Sequence, residues 1–353
     1  MGTSSEFSQA RLARVVKAMR GRRIAVLGDW MLDRYVWGTA NRLSPEAAVP
    51  IVNFAQQSEC LGGAGNIAAN LADLGARVMP FGVTGEDEAG KALRGCLRAL
   101  GLPDKGLLAD PSRPTTLKTR IIARQQQVVR VDHEVRAPLS HELEERLIRR
   151  VIASLRGVDA LVLSDYDKGT VTDQVSDRVL RVCHRLKKPA FVKPKWSRLP
   201  TYGGATAIIC NRGEAGFLVT RALEDEASVE EAGRALLAHF ACSAVIITLG
   251  AEGLSVFELE NPRMLHIPAI SRERPFGLAR DAGLGKEGKG RQVFDVTGAG
   301  DTVLATIALA AAAGGSIGEA AVLGNAAAGV VVGKLGTATL RPAELLAAIR
   351  ESN

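Results

Sequence analysis

Short runs that are apolar at almost every position and then give way to polar residues or glycine recur along this chain of 353 residues. Ile24-Ala25-Val26-Leu27 stops at Gly28-Asp29, and Ala160-Leu161-Val162-Leu163-Ser164 at Asp165-Tyr166-Asp167-Lys168-Gly169. Ala190-Phe191-Val192 stops at Lys193-Pro194-Lys195, Ala207-Ile208-Ile209-Cys210 at Asn211-Arg212-Gly213-Glu214, and Ala244-Val245-Ile246-Ile247-Thr248 at Leu249-Gly250-Ala251-Glu252-Gly253. A strand without polar alternation is covered on both faces, as in a parallel sheet between two helix layers. Such sheets collect ligand-contacting groups beyond the carboxyl ends of their strands. Asp29, with a second acid at Asp33, stands there as a candidate for binding hydroxyls, Asp165 as a further candidate substrate contact, and Lys168 and Lys195 as candidates for binding an anion.

The stretch Phe294-Asp295-Val296-Thr297-Gly298-Ala299-Gly300-Asp301-Thr302 refines that reading. Residues 291–296 read as a strand. After Gly300 an alanine-rich run with Val303, Leu304 and Ile307 reads as a helix that stops at Gly314-Gly315. Gly298 and Gly300 thus occupy a strand-to-helix turn, where unpaired N–H groups and the helix dipole favour an anion and glycine lets it come close. A carboxylate at Asp301 is a poor choice for binding an anion, but it suits a base that takes a proton from a hydroxyl attacking phosphorus. From this stretch alone the plain alternative, an acid stabilising a helix start, stands beside it.

Two segments break the βα rhythm. Residues 34–61 read as short strands around Tyr35-Val36-Trp37 and Val49-Pro50-Ile51-Val52, separated by a polar loop. Residues 112–137 read as a hairpin, Thr116 onward and Val128 onward, flanking Arg124-Gln125-Gln126-Gln127. The expectation is a small sheet from both segments that covers the site and excludes water. On that hairpin Arg124, Gln126 and Arg130, with Lys118 and Arg120, are candidate substrate contacts. The core then comprises residues 1–33, 62–111 and 138–353. Gly62-Gly63-Ala64-Gly65-Asn66 opens a helix, and its glycines serve either a ligand or helix packing. Residues 320–332 form a helix of small residues around Asn325, with room for a flat ligand or simply for close packing.

Composition excludes several classes. Aromatic residues make up only 4%, too few for a platform of stacked bases. The net charge of +7 is spread along the chain, which favours small anionic substrates over nucleic acid. Five scattered cysteines without a C-x-x-C pair predict reduced thiols, not disulfides or zinc. The polar start and the brevity of the apolar run at 303–313 predict a protein that is cytoplasmic and does not enter a membrane. The basic, Gly-rich residues 271–291 read as an exposed loop. A dinucleotide-binding oxidoreductase is discounted, since the first strand leads into Gly28-Asp29-Trp30-Met31-Leu32-Asp33 rather than G-x-G-x-x-G.

Taken in order, Gly28-Asp29…Asp33, Gly62-Gly63-Ala64-Gly65-Asn66, Asn211…Glu214, Thr248…Gly250…Gly253 and Asp295-Val296-Thr297-Gly298-Ala299-Gly300-Asp301 resemble the ribokinase-like (PfkB) carbohydrate kinases. The resemblance implies an α/β fold, a three-layer α/β/α core with a small β-sheet lid, and an ATP- and Mg²⁺-dependent sugar kinase. It implies Asp301 as base, Gly298, Ala299 and Gly300 as donors to the phosphoryl group, and Asp29, Asp33, Gly63 and Asn66 around the sugar. Asn211 and Glu214 would arrange magnesium through water. Thr248, Gly250, Gly253 and Asn325, with Asp295 and Thr297, would line the ATP side. It further suggests a homodimer through the lid and leaves monovalent-cation dependence open.

Met31-Leu32-Asp33-Arg34-Tyr35, Arg42-Leu43-Ser44-Pro45-Glu46-Ala47, Leu163-Ser164-Asp165-Tyr166 with Lys168-Gly169, and the run from Asn325 to Thr337 are similar to one group within that family. Its members phosphorylate C1 of D-glycero-β-D-manno-heptose 7-phosphate on the way to ADP-heptose. Where that group usually has Asp-Pro-Lys-Gly, this chain has Lys193-Pro194-Lys195-Trp196, and Cys210 replaces a proline before Asn211. The charge reversal at Lys193 admits an added phosphate contact, a different substrate (ribose, fructose or a nucleoside) or a catalytically impaired sugar-binding protein.

Overall fold

The computed structural model describes residues 7–124, 126–195, 202–269, 296–334 and 336–351, and each apolar run named in the opening paragraph is a strand in it. In chain order the elements begin with α1 (Gln9–Ala18), β1 (Arg23–Gly28), β2 (Trp30–Leu43), β3 (Pro50–Gly63), α2 (Ala64–Asp73) and β4 (Arg77–Thr84). Next come α3 (Glu88–Ala99), β5 (Leu107–Ala109), β6 (Thr116–Ala123), β7 (Gln126–His133), α4 (His141–Ser154), β8 (Ala160–Ser164) and α5 (Asp173–Arg185). The rest are β9 (Ala190–Lys193), β10 (Ala207–Asn211), α6 (Arg212–Leu218), α7 (Glu226–Phe240), β11 (Ala244–Thr248), β12 (Leu254–Glu258), β13 (Asn261–Ile267), α8 (Ala299–Ala312), α9 (Ile317–Val331) and α10 (Pro342–Glu351).

Nine strands form one sheet in the order β13-β12-β11-β10-β9-β8-β1-β4-β5, parallel except where β12 and β13 join antiparallel at one edge. Alternate residues of β1 serve opposite layers, as a strand's period of two requires. Ile24 and Val26 belong to the apolar cluster that takes in α1, α2, α3, α8, α9 and α10, whereas Ala25 and Leu27 belong to the one that takes in α4, α5, α6 and α7. The result is a three-layer α/β/α core. Parallel register aligns the carboxyl ends: Gly28 pairs with Ser164 and Ser164 with Lys193, and further along Asn211 pairs with Thr248. No helix among the described residues is long and apolar enough to cross a membrane, and all five cysteines are free.

The two irregular segments do combine into a four-stranded sheet, β3-β2-β6-β7. The expectation of short strands at 34–61 needs correction. β2 and β3 are 14 residues each and pair from Trp30–Gly63 to Leu43–Pro50, with irregularities near Gly38 and Ala40. Residues 53–58 of β3 are all exposed, so this stretch carries no burial alternation from which a strand can be read. The expected strand at 291–296, the loop at 271–291 and Asp295 lie outside the described residues, apart from Val296, which is exposed.

Candidate active site

Helix α8 starts where the glycine turn predicted it. Gly298, the residue before its first turn, has φ +81°, a left-handed backbone that favours glycine. A Cβ there would lie 2.6 Å from Nδ2 of Asn66, so the same glycine also lets α2 and α8 meet. One of the expected anion donors is already engaged, because the Ala299 N–H donates to the Val296 carbonyl at 3.3 Å. Gly300 and Asp301 keep the first-turn positions whose N–H groups have no partner within a helix.

Asp301 is 4% exposed, and side chains from three distant segments hold its carboxylate. Tyr166 Oη donates to Oδ1 at 2.5 Å, Lys193 Nζ donates to Oδ1 at 2.8 Å, and Asn66 Nδ2 donates to Oδ2 at 3.1 Å. Lys193 also donates to Tyr166 Oη at 2.9 Å and lies 4.6 Å from that ring's centroid. A carboxylate offers about four acceptor positions, two on each oxygen. Oδ1 is therefore filled, while Oδ2 has one acceptor position left. Asn66 is held in turn by Asn70, whose amide donates to Asn66 Oδ1, and Thr302 donates to Asn70 Oδ1. Burial works against the Lys193 charge, but Asp301 and Tyr166 more than offset it and hold the ammonium above its ordinary range. Burial, with the Asp301 charge, pushes the Tyr166 phenol up, so it stays a donor.

On one side of this cluster a cavity of about 550 Å³ opens between β10, β11, α8 and α9. Asn211, Thr248, Gly250, Gly253 and Asn325, scattered along the sequence, all line it, together with Ala299 and Gly300. Asn325, Ala328 and Gly329 present one face of α9 to it, with Val332 just beyond the helix end, and leave room there for a flat ring. Asn325 spends its amide on the Pro268 carbonyl at 2.8 Å. Asn211 and Glu214 form a capping box at the start of α6, each accepting the other's backbone N–H. No group of three or more His, Cys, Asp or Glu side chains suited to a metal occurs among the described residues.

On the other side lies the four-stranded sheet. Asp33, 4% exposed, accepts from Arg120 Nη1 at 2.7 Å. Burial pushes its carboxyl up, with Arg120 and Lys118 pulling the other way. Gly62 runs against this carboxylate, where a Cβ would lie 2.7 Å from Oδ2, and Gly63 leads into α2. Lys118 and Lys168 both donate to Glu134, at 3.2 and 2.7 Å. Burial lowers Lys195, and the nearby Lys168 and Lys193 charges add to the effect.

Five expected substrate contacts have other partners or positions in the structure. Asp29 accepts the backbone N–H groups of Tyr166, Lys168 and Thr170 at 2.8 to 3.2 Å, so its oxygens clamp the loop at 166–170. Asp165 is likewise committed, accepting from the Asp167 N–H and from Tyr202 Oη. Arg124 and Gln126 line a separate groove with residues 40–43 at the distal end of the small sheet, because β2 and β3 extend well beyond the site. Arg130 pairs with Asp132 on the exposed strand β7. Sequence reasoning passed over Tyr166 and the pairing of Lys193 with Asp301. Their one signal was position, since both follow apolar strands that are neighbours in the sheet.

A profile of the pfkB family of carbohydrate kinases matches residues 22–344. The bifunctional protein HldE of Desulfatibacillum aliphaticivorans is 40% identical over 329 residues, 93% of this chain and 63% of that protein. The bifunctional protein HldE of Caulobacter vibrioides is 40% identical over 337 residues, 95% of this chain and 65% of that protein. The chain thus spans less than two thirds of these relatives. Among solved structures, Arabidopsis thaliana ribokinase complexed with ribose and ATP aligns with a TM-score of 0.71 at 19% identity, over 94% of this chain and 99% of that one. With the buried acid, the helix turn and the flanking cavity on one site, this chain belongs to the pfkB family of carbohydrate kinases, phosphotransferases that act on a sugar hydroxyl.

Proposed function

We propose that this ATP-dependent sugar kinase phosphorylates the C1 hydroxyl of D-glycero-β-D-manno-heptose 7-phosphate, giving the 1,7-bisphosphate used for ADP-heptose and lipopolysaccharide precursors. The supporting observation is Asp301 at the start of α8, beside the cavity-lining Ala299 and Gly300, with a run of neighbouring lysines leading from its carboxylate: Lys193 bonded to it, Lys195 close enough to feel the Lys193 and Lys168 charges, and Lys168 and Lys118 sharing Glu134. Oδ2, with its remaining acceptor position, takes the hydroxyl proton as the oxygen attacks phosphorus. The bond from phosphorus to the bridging oxygen of ADP breaks with its electron pair going to ADP. Gly300 and Asp301 N–H groups at the α8 start face the charge that moves. Asp33 and Asn66 orient the sugar, and the substrate's own phosphate draws Lys168 and Lys118 from Glu134, with Lys195 alongside.

ATP fits the cavity, whose small-residue α9 face suits adenine and whose α8 end suits its phosphates. Magnesium fits the sparse acid set here, since that ion keeps several waters and is usually held by phosphates and one or two carboxylates. Asn211 and Glu214 would hold it through water, and it would neutralise phosphate charge. Residues 34–61 and 112–137 act as the lid over the core, with the strand ends Trp30 and Gly63 as its roots. Leu43, Phe54, Val129 and Val131 of this sheet are exposed, a surface suited to a second copy. ATP supply and free thiols fit the cytoplasm.

The test is ATP turnover with a panel of sugars and sugar phosphates, locating the new phosphate by NMR. The heptose 7-phosphate should be preferred, and Lys168→Met should raise its KM by about 10²-fold, the loss of one charge-assisted contact of about 3 kcal/mol. Preference for an unphosphorylated sugar, with KM unmoved by Lys168→Met, overturns this reading.

A further inference from the structure

The pairing of Lys193 with Asp301 carries one inference beyond that reading, on which it rests. Lys193 ends β9, in register with Ser164 of β8, and its side chain is 17% exposed. Its ammonium holds Asp301 Oδ1 at 2.8 Å, and it lies 3.8 Å from where a Cβ on Gly300 would stand. Gly300 lines the cavity assigned to the nucleotide. The ammonium therefore stands beside both the cavity-lining first turn of α8 and the Asp301 carboxylate.

The placement is electrostatically unusual. A helix N-terminus carries about half a positive charge, and a cation beside it is disfavoured. Here the start of α8 and the Lys193 ammonium converge on one spot, with the single negative charge of Asp301 against both. Other charged groups near the spot are Asp33 with its partner Arg120 from the small sheet, an opposite-charge pair, and Lys195, a further cation close enough to feel the Lys193 charge. The site is balanced only when a further anion enters, and the phosphoryl group in flight is such an anion.

We propose that Lys193 is a catalytic cation: anchored on Asp301 and Tyr166 at rest, its ammonium donates to an oxygen of the phosphoryl group as that group crosses from nucleotide to sugar. Turning toward the phosphoryl breaks no covalent bond and moves no proton. It exchanges the contact to Oδ1 for one to phosphate, while Asn66 and Tyr166 keep the base in place.

Lys193→Met and Lys193→Gln remove the charge, and Lys193→Gln preserves a donor to Asp301 should the apolar variant fail to fold. In both, kcat should fall about 10²-fold, while KM for the sugar and affinity for ATP stay within about threefold of the parent. Lys193→Arg should recover to within about tenfold of the parent, since it restores the charge. A second readout is calorimetry with ADP and aluminium fluoride, a stand-in for the phosphoryl in flight. The parent should bind ADP more tightly when aluminium fluoride is present, and the neutral variants should lose that gain. Variants with parental kcat overturn the role of Lys193 alone, as does a kcat above the parent's, which makes the ion pair a restraint on the base. A parent that binds ATP but phosphorylates no sugar removes the kinase reading and this role together.

Discussion

Asp29 and Asp301 are buried to nearly the same degree, 1% and 4% exposed, and both touch Tyr166, yet their partners differ in kind. Asp29 is held by backbone N–H groups of the loop at 166–170, which cannot leave without unfolding that loop. Asp301 is held by the side chains of Asn66, Tyr166 and Lys193, which rotate about single bonds. Burial pushes the Asp29 carboxyl up, and its backbone donors pull against it. The same residue type at the same depth is thus fixed by a backbone loop in one place and held by exchangeable side chains in the other, as the proposed base requires. The loop links them, since Asp29 fixes the Tyr166 backbone and Tyr166 in turn presents its hydroxyl to Asp301.

The comparison breaks most clearly at Asp301. Asp301→Asn should lower kcat by about 10³-fold, the scale of a lost general base, while circular dichroism and nucleotide binding stay parental. Turnover equal to the parent's would remove Asp301 from the chemistry. Asp29→Asn should behave in the opposite way. Replacing an acceptor with an amide donor facing three N–H groups should cost about 3 kcal/mol in chemical denaturation. The fraction that stays folded should keep its affinity for ATP. A variant as stable as the parent but inactive would make Asp29 a second functional acid.

The smallest effect is expected at Glu134, and it sharpens the contrast between fixed and exchangeable partners. Burial pushes its carboxyl up, but hydrogen bonds from Lys168 and Lys118 outweigh that and hold it below the ordinary range. Its contribution to stability is therefore present above an ordinary glutamate pKa of about 4.3 and is lost as pH falls through the lower, folded value. Glu134→Gln should lower stability by less than about 1 kcal/mol at neutral pH, and the gap to the parent should close in acid. Because the substitution also releases two lysines, KM for a phosphorylated sugar should fall; a rise would separate those lysines from substrate binding.

Much of the core was legible because its signals are local. An all-apolar run marks a strand covered on both faces, and a glycine turn before an alanine-rich run marks a helix start. The small sheet was less legible. Its long strands lie half in solvent, where little hydrophobic pattern is imposed, so their length and the distal position of Arg124 and Gln126 gave no signal. Asp29 and Asp165 stood at strand ends like true ligand contacts, and only their hydrogen-bond partners show that they are occupied.

The sequence by itself determined the parallel sheet, the turn at Gly298 to Gly300 and the acid that follows it, since propensity, periodicity and backbone freedom act over a few residues. The tertiary structure alone decided what surrounds that acid. Its donors lie 235, 135 and 108 residues away, and strand register and helix packing, which no local pattern encodes, bring them to one carboxylate.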